Sequence, residues 1–190
     1  MHEKKKLTVL IGINGAGKTT LRNSNHFKVG DAQFIDSDDF LLQAKGNWRR
    51  KDDRIKAILQ ADQKLNLLIE KGVNIIWEFE AVGSLHNELK VITKAKNNNY
   101  HIELVWVTLS SPDLALKRVL SRFRKGGIGG SQIDVPKRYQ RVNDNFIKLE
   151  GLADEIAIYD NTSEIKEVYE KQNNKETLNK LIDYPWISVK

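Results

Sequence analysis

The sequence predicts a three-layer α/β/α sandwich with a mostly parallel, five-stranded sheet, and three observations carry that expectation. Short apolar runs alternate with helix-length amphipathic stretches along 190 residues, the pattern of βαβ units. The first apolar run leads straight into a glycine-rich turn and then a helix start, in "LTVLIGINGAGKTTL". Acids end the next two runs, in "AQFIDSDDF" and "VNIIWEFE", at the carboxyl edge where a doubly wound sheet binds ligands.

Each element has its own signal. Leu7 to Ile11 is a short β-rich strand, and Thr19 to Asn25 can open a helix. "AQFIDSDDF" gives a second strand ending in carboxylates, one of which can cap a following helix. "DDRIKAILQADQKLNLLIEKG" is a long helix, with Ile55, Ile58, Leu59, Leu65, Leu68 and Ile69 at helical spacing and Gly72 placed to end it. "VNIIWEFE" is a β-branched strand, "SLHNELKVITKAKNN" a helix, and "YHIELVWVTLS" the clearest strand in the chain. Ser111 as N-cap and Pro112 in the first turn start the next helix, which runs to about Lys125. "GGIGG" reads as a flexible connector, Ser131 to Asp134 as a new helix start, and "DEIAIYD" as the fifth and last strand. Asparagines at 97–99 and 173–174 look like surface turns. The expectation is one domain over 1–190, with a helical lid at about 117–141 and a helical tail at about 163–190.

Gly12-Ile13-Asn14-Gly15-Ala16-Gly17-Lys18-Thr19 fits G-x-x-x-x-G-K-[ST], a loop whose backbone N–H groups wrap a β-phosphate. Glycine suits it because positive φ costs it nothing and no Cβ blocks the anion. The expected nucleotide-binding residues are Gly12, Asn14, Gly15, Ala16, Gly17, Lys18, Thr19 and Thr20. Lys18 reaches the β- and γ-oxygens, and the Thr19 hydroxyl is placed to ligate Mg²⁺. The fold class is therefore that of a P-loop NTPase, and the cofactors expected are ATP or GTP with Mg²⁺.

Carboxylates supply the second half of the site. Asp36 and Asp38 are two apart, so an extended backbone would point them to one face. Such a group can take the proton of an attacking hydroxyl or hold Mg²⁺. Glu78 and Glu80 end the next strand, and only one of them needs to be functional. Arg118 and Arg122 lie four apart on one helix face, before the glycines, where a lid would close on a transferring phosphoryl group.

Composition excludes other classes. With 40% apolar content the chain can bury a core, and without cysteine it has neither disulfides nor thiolate metal sites. The four histidines, at 2, 26, 86 and 101, lack metal-ligand spacing with one another. No stretch approaches membrane-spanning length, and a cytoplasmic location is expected. The net charge of +6 is concentrated in 117–141, where aromatic interleaving is sparse. That favours a polyphosphate over a nucleic acid as partner.

A phosphate loop, "IDSDDF", a strand-end acid, "LVWVTLSSPDLALKRVLSRFRKGG", "KRYQRVNDNF" and "YDNT" together resemble the zeta-toxin-like P-loop kinases, over roughly residues 7–162. The most specific part is S-P-x-L-A-L-x-R-V-x-x-R-x-x-x-G-G. The resemblance implies a nucleoside triphosphate donor with magnesium and, as acceptor, a hydroxyl of a nucleotide-activated amino sugar. By the same resemblance Lys18 and Thr19 are the donor and metal residues, Asp38 the base, Glu78 the strand-end acid beside the metal, and Arg118 and Arg122 the lid arginines. An antitoxin-like protein partner is compatible with it. Two positions depart from the pattern: Ile128 stands where a histidine often follows the double glycine, and Phe79-Glu80 replace small hydroxyl residues. Both lie where an acceptor would be recognised.

The function expected is thus transfer of a γ-phosphoryl group to a hydroxyl of a small molecule. A polynucleotide or nucleoside kinase of the same architecture is the nearest alternative, and a nucleotide-binding switch the alternative of another class.

Overall fold

The computed structural model describes residues 5–125 and 134–189. The expected connector glycines Gly126, Gly127, Gly129 and Gly130, the departure at Ile128 and the helix start at Ser131 lie outside the described residues.

Among the described residues thirteen helices and strands follow the predicted order up to the fifth strand, apart from one short helix added after the second strand. They are β1 (Lys6–Ile11), α1 (Lys18–Arg22), β2 (Gln33–Asp36), α2 (Ser37–Gln43), α3 (Lys51–Lys71), β3 (Ile75–Phe79), α4 (His86–Asn97), β4 (His101–Thr108), α5 (Pro112–Arg124), α6 (Val135–Glu150), β5 (Glu155–Asp160), β6 (Lys166–Gln172) and β7 (Lys175–Asn179). Gly72 ends α3 in the left-handed conformation, φ 64°, a cap that glycine adopts without strain. Ser111 Oγ accepts the N–H of Leu114 at 3.3 Å and starts α5.

One sheet of order β2-β3-β1-β4-β5-β6-β7 results. The first five strands are mutually parallel, while β6 and β7 add antiparallel. This corrects the expected five strands to seven. It also corrects the tail, which forms a β-hairpin and a single 3-10 turn, Leu181–Asp183, instead of a helix. The turn between β6 and β7 falls at Asn173 and Asn174, both at positive φ, which a two-residue hairpin turn requires and asparagine tolerates.

The core lies between the sheet and the helices packed on it. Trp106 of β4, 1% exposed, stacks on Phe146 of α6 at 4.5 Å between ring centroids. Leu65, Leu68 and Ile69 of α3 are buried as their spacing predicts, whereas Ile55, Ile58 and Leu59 of the same helix are exposed. Each fully buried aliphatic side chain stabilises the fold by roughly 1.5–3 kcal/mol. Among the described residues no helix is long and apolar enough to cross a membrane.

Parallel register places the site. Asp36 of β2 pairs with Glu78 of β3, and Glu78 pairs with Leu10 of β1. The two acids therefore stand in one row, two residues before the glycine loop begins.

Candidate active site

The glycine loop is held from below and from one side. Gly15 has φ 89°, and a Cβ there would lie 2.5 Å from the Ala115 carbonyl of α5. Gly17 has φ 106°, and a Cβ there would run into Asn161 Nδ2. Asn161, buried just after β5, donates that Nδ2 to the Ala16 carbonyl at 2.7 Å. Glycine at both positions is thus demanded by space as well as by φ. Asn161 comes from the "YDNT" segment, whose Asp160 accepts the Thr162 hydroxyl at 2.8 Å while Thr162 accepts the Ser110 N–H at 2.9 Å. Sequence reading assigned this segment no role, since a carboxamide bracing a loop has no motif.

Lys18 opens α1 and is 7% exposed. Its ammonium donates to the Gly12 carbonyl at 2.8 Å and lies 3.7 Å from Glu78 Oε1. Glu78 Oε2 is buried with no hydrogen-bond partner among the described residues. Thr19 and Thr20 are exposed at the mouth of the loop. These groups fit magnesium: hard oxygens, a loop hydroxyl and one or two carboxylates, with the remaining positions left to water and phosphate. Among the described residues there is no group of three acidic, His or Cys side chains that could hold a metal ion.

Asp36 and Asp38 do not extend side by side as expected. β2 stops at Asp36, whose side chain accepts the Asp38 N–H at 2.9 Å and caps α2. Asp38 therefore sits in the first turn of a helix, exposed to the cleft. The expected cap was a later acid. Although Asp38 as a residue is solvent-accessible, partial desolvation of its carboxyl group by the surrounding site raises it above its ordinary range, against the opposing charges of Lys18 and Arg122.

Asp36 is pushed up to about 7, by burial first and the neighbouring Glu78 charge second, with the Asp38 N–H working the other way. The folded chain keeps this proton between the ordinary value of 3.8 and about 7, so the stability contributed by Asp36 falls as pH rises through that window. Asp36→Asn still offers an oxygen to the Asp38 N–H but carries no charge. It should be more stable than the parent at pH 8, by on the order of 1–2 kcal/mol, and the gap should close at pH 4. Denaturant unfolding followed by circular dichroism at the two pH values checks this, and a gap independent of pH would refute it.

Arg118 and Arg122 share one face of α5 but do different things. Arg118 Nη2 donates to the Thr162 carbonyl at 3.1 Å, whereas Arg122 makes no such bond among the described residues and lies within range for its charge to favour the ionised Asp38 carboxyl. Just beyond it, Phe123 meets Trp48 edge-to-face at 6.2 Å, with the Arg49 guanidinium 4.5 Å over the Trp48 ring. That contact ties the end of α5 to the α2–α3 connection and so spans the cleft. The structure thus brings together Lys18, Asp38, Glu78 and Arg122, and turns Arg118 toward the end of β5. It adds Glu80, which accepts the Asn14 N–H at 3.1 Å and the Asn14 side chain at 3.2 Å, and is also paired with Arg138 of α6.

A family model described as an AAA domain matches residues 7–142, which is more than half of the chain. The chain belongs to this AAA-domain family. Its match runs from the phosphate-loop strand into α6, so it covers the glycine loop, the strand-end acids, Arg118, Arg122 and Arg138, but not the Asp160–Thr162 segment. Among curated proteins the AAA domain has no match. Among solved structures it is similar to the PezAT chromosomal toxin–antitoxin system of Streptococcus pneumoniae, at 23% identity and TM-score 0.69, over 90% of this chain and 72% of that one. It is similar to the AvrRxo1-ORF1:ORF2 structure with ATP at 16% identity and TM-score 0.74, over 99% of this chain and 64% of that one. The Pnkp1/Rnl/Hen1 RNA repair complex matches at 19% identity and TM-score 0.63, over 78% of this chain and 47% of that one. At these identities the likeness is one of fold, and this AAA domain spans less than two thirds of the last two chains. The fold is the P-loop α/β class that the sequence predicts, and these structures share it.

Proposed function

We propose that this AAA domain is an ATP-dependent phosphotransferase acting on a hydroxyl of a small molecule. The observation that supports it best is the buried Lys18 ammonium of the glycine loop, 2.8 Å from the Gly12 carbonyl and 3.7 Å from Glu78, with Asp38 and Arg122 within range of its charge. The acceptor oxygen attacks the γ-phosphorus, the bond from that phosphorus to the β–γ bridging oxygen breaks, ADP leaves, and the acceptor proton passes to Asp38. A carboxyl raised by burial is the better proton acceptor near neutral pH. Lys18 and Arg122 supply fixed positive charge where the transferring group carries its negative charge. Thr19 and Glu78 are the groups proposed to hold Mg²⁺ directly, with Asp38 reaching it only through water, and the ion when bound would neutralise phosphate oxygens. The cradle for the donor phosphates is proposed to be Gly12, Asn14, Gly15, Ala16, Gly17 and Thr20.

ATP is proposed over GTP because the AvrRxo1 likeness is to a structure with ATP. A nucleotide-activated sugar is the acceptor class to try first, on the strength of the sequence resemblance. The PezAT likeness supports proposing an antitoxin-like protein partner, and a cytoplasmic location accords with a chain without cysteine. A polynucleotide acceptor is the weaker reading, since two cations of the basic block are engaged internally, Arg118 with Thr162 and Arg138 with Glu80.

The experiment is transfer from γ-labelled ATP to a panel of sugar nucleotides, nucleosides and 5′-hydroxyl oligonucleotides, with labelled product resolved for each. Labelling of none of them, with hydrolysis alone, would overturn the phosphotransferase reading. With any acceptor found, Arg122→Ala should lower kcat by more than it weakens ATP binding, because its charge acts chiefly on the transition state. A drop confined to ATP affinity would move Arg122 from the transfer step to ground-state binding.

A further inference from the structure

Glu80 has no part in the transfer as proposed, yet it holds two donors suited to phosphate. Its carboxylate is 17% exposed. Oε1 accepts the backbone N–H of Asn14 at 3.1 Å, Oε2 accepts Asn14 Nδ2 at 3.2 Å, and Oε2 also accepts from Arg138 Nη2, with which it forms an ion pair. A backbone N–H of a glycine-rich loop and a guanidinium are both donors that bind phosphate oxygens. In this chain they meet on one carboxylate that comes from just past the end of the neighbouring strand β3, two residues after Glu78.

Position makes the contact more than a surface ion pair. Asn14 lies within the loop itself, between Gly12 and Lys18, and Glu80 also raises the Asp38 carboxyl through its charge, so it faces the same cleft. A negative group fixed there repels further negative charge arriving at the loop. The repulsion is greatest for the part of a nucleotide that extends toward Asp38, which is the terminal phosphate of a triphosphate.

We propose that Glu80 is a specificity-determining residue, a resident anion that competes with the donor's terminal phosphate for Asn14 and Arg138. The proposal rests on the phosphate-loop reading above. ATP must displace the carboxylate from these donors or share them with it, whereas a diphosphate ends short of them. Wild-type affinity for ATP is therefore held down relative to ADP, and the loop releases its Glu80 contact only when a triphosphate is fully seated.

Calorimetric titration of the full chain with ATP and with ADP, each with Mg²⁺, tests this in the wild type, E80Q and E80A. Glutamine keeps the shape and can still accept the Asn14 N–H, but it lacks the charge. E80Q should bind ATP about 10-fold more tightly and ADP within about twofold of wild type, and E80A should show the same direction of change in the ATP-to-ADP ratio. Equal changes for both nucleotides, or none, would make Glu80 a brace for the loop and overturn the proposal while leaving nucleotide binding intact. A wild type that binds neither nucleotide would instead overturn the phosphate-loop reading, and this proposal with it. Melting curves without nucleotide show whether each variant is folded, and E80Q serves if E80A is not.

Discussion

Asp38→Asn should cut phosphoryl transfer by roughly 10²- to 10⁴-fold while ATP affinity changes little. Asparagine matches aspartate in size but cannot take the acceptor's proton, so the loss belongs to the chemical step. The fold should tolerate the change. Asp38 is exposed in the first turn of α2, and losing one favourable charge at a helix N-terminus costs about 0.3–1 kcal/mol. Asp36→Asn is the matched control: it sits two residues away and caps α2 from the strand end, so it should reduce transfer less. Initial rates and ATP titrations on both variants, with the best acceptor of the panel, decide the matter. Full activity in both would remove the proton-acceptor role from Asp38. Loss of Mg²⁺-dependent ATP binding in Asp38→Asn would make it a metal residue instead.

What the sequence made legible was what depends on short-range pattern. "YHIELVWVTLS" and the α3 stretch could be read because burial imposes a local repeat on them, and the glycine loop because its backbone conformation demands particular residues. Parallel register then carried strand-end acids to the loop without any further information. The β6–β7 hairpin escaped because Lys166, Glu167, Glu170, Lys171, Lys175 and Glu176 crowd it with charge, hiding a period-2 pattern; only the Asn173-Asn174 turn showed through. Helix α2, seven residues long, is too short to display a helical repeat. Its presence is what changed the geometry of Asp36 and Asp38, since a strand that ends at Asp36, two residues short of Asp38, turns two parallel carboxylates into a cap and a capped residue. Asn161, Arg138 and Glu80 act through partners at least 58 residues away in sequence, and no local pattern encodes such contacts. Glu80 had a partial signal, as a carboxylate where the resembling family carries a small hydroxyl residue.

Lys18→Ala should lower turnover by at least ~10²-fold, because it deletes a charge-assisted contact to the transferring group. The surroundings of Lys18 determine how that result must be read. Its ammonium is buried beside Glu78, whose other oxygen is already without a hydrogen-bond partner. Removing the cation leaves a buried carboxylate uncompensated, and breaking such a pair is destabilising in its own right. Part of any loss of activity could thus come from a less stable protein. Adding Glu78→Gln to Lys18→Ala tests the stability part alone: it removes the stranded charge and should recover melting temperature, while turnover stays low because Glu78 is itself proposed to hold Mg²⁺. The buried Gly12 carbonyl, which accepts from Lys18 at 2.8 Å, loses that donor in both variants alike, so it does not alter the comparison between them. Turnover at wild-type level in a folded Lys18→Ala protein would show that the loop takes no part in the chemistry. Recovery of turnover together with stability in the double variant would assign Lys18 a structural role only.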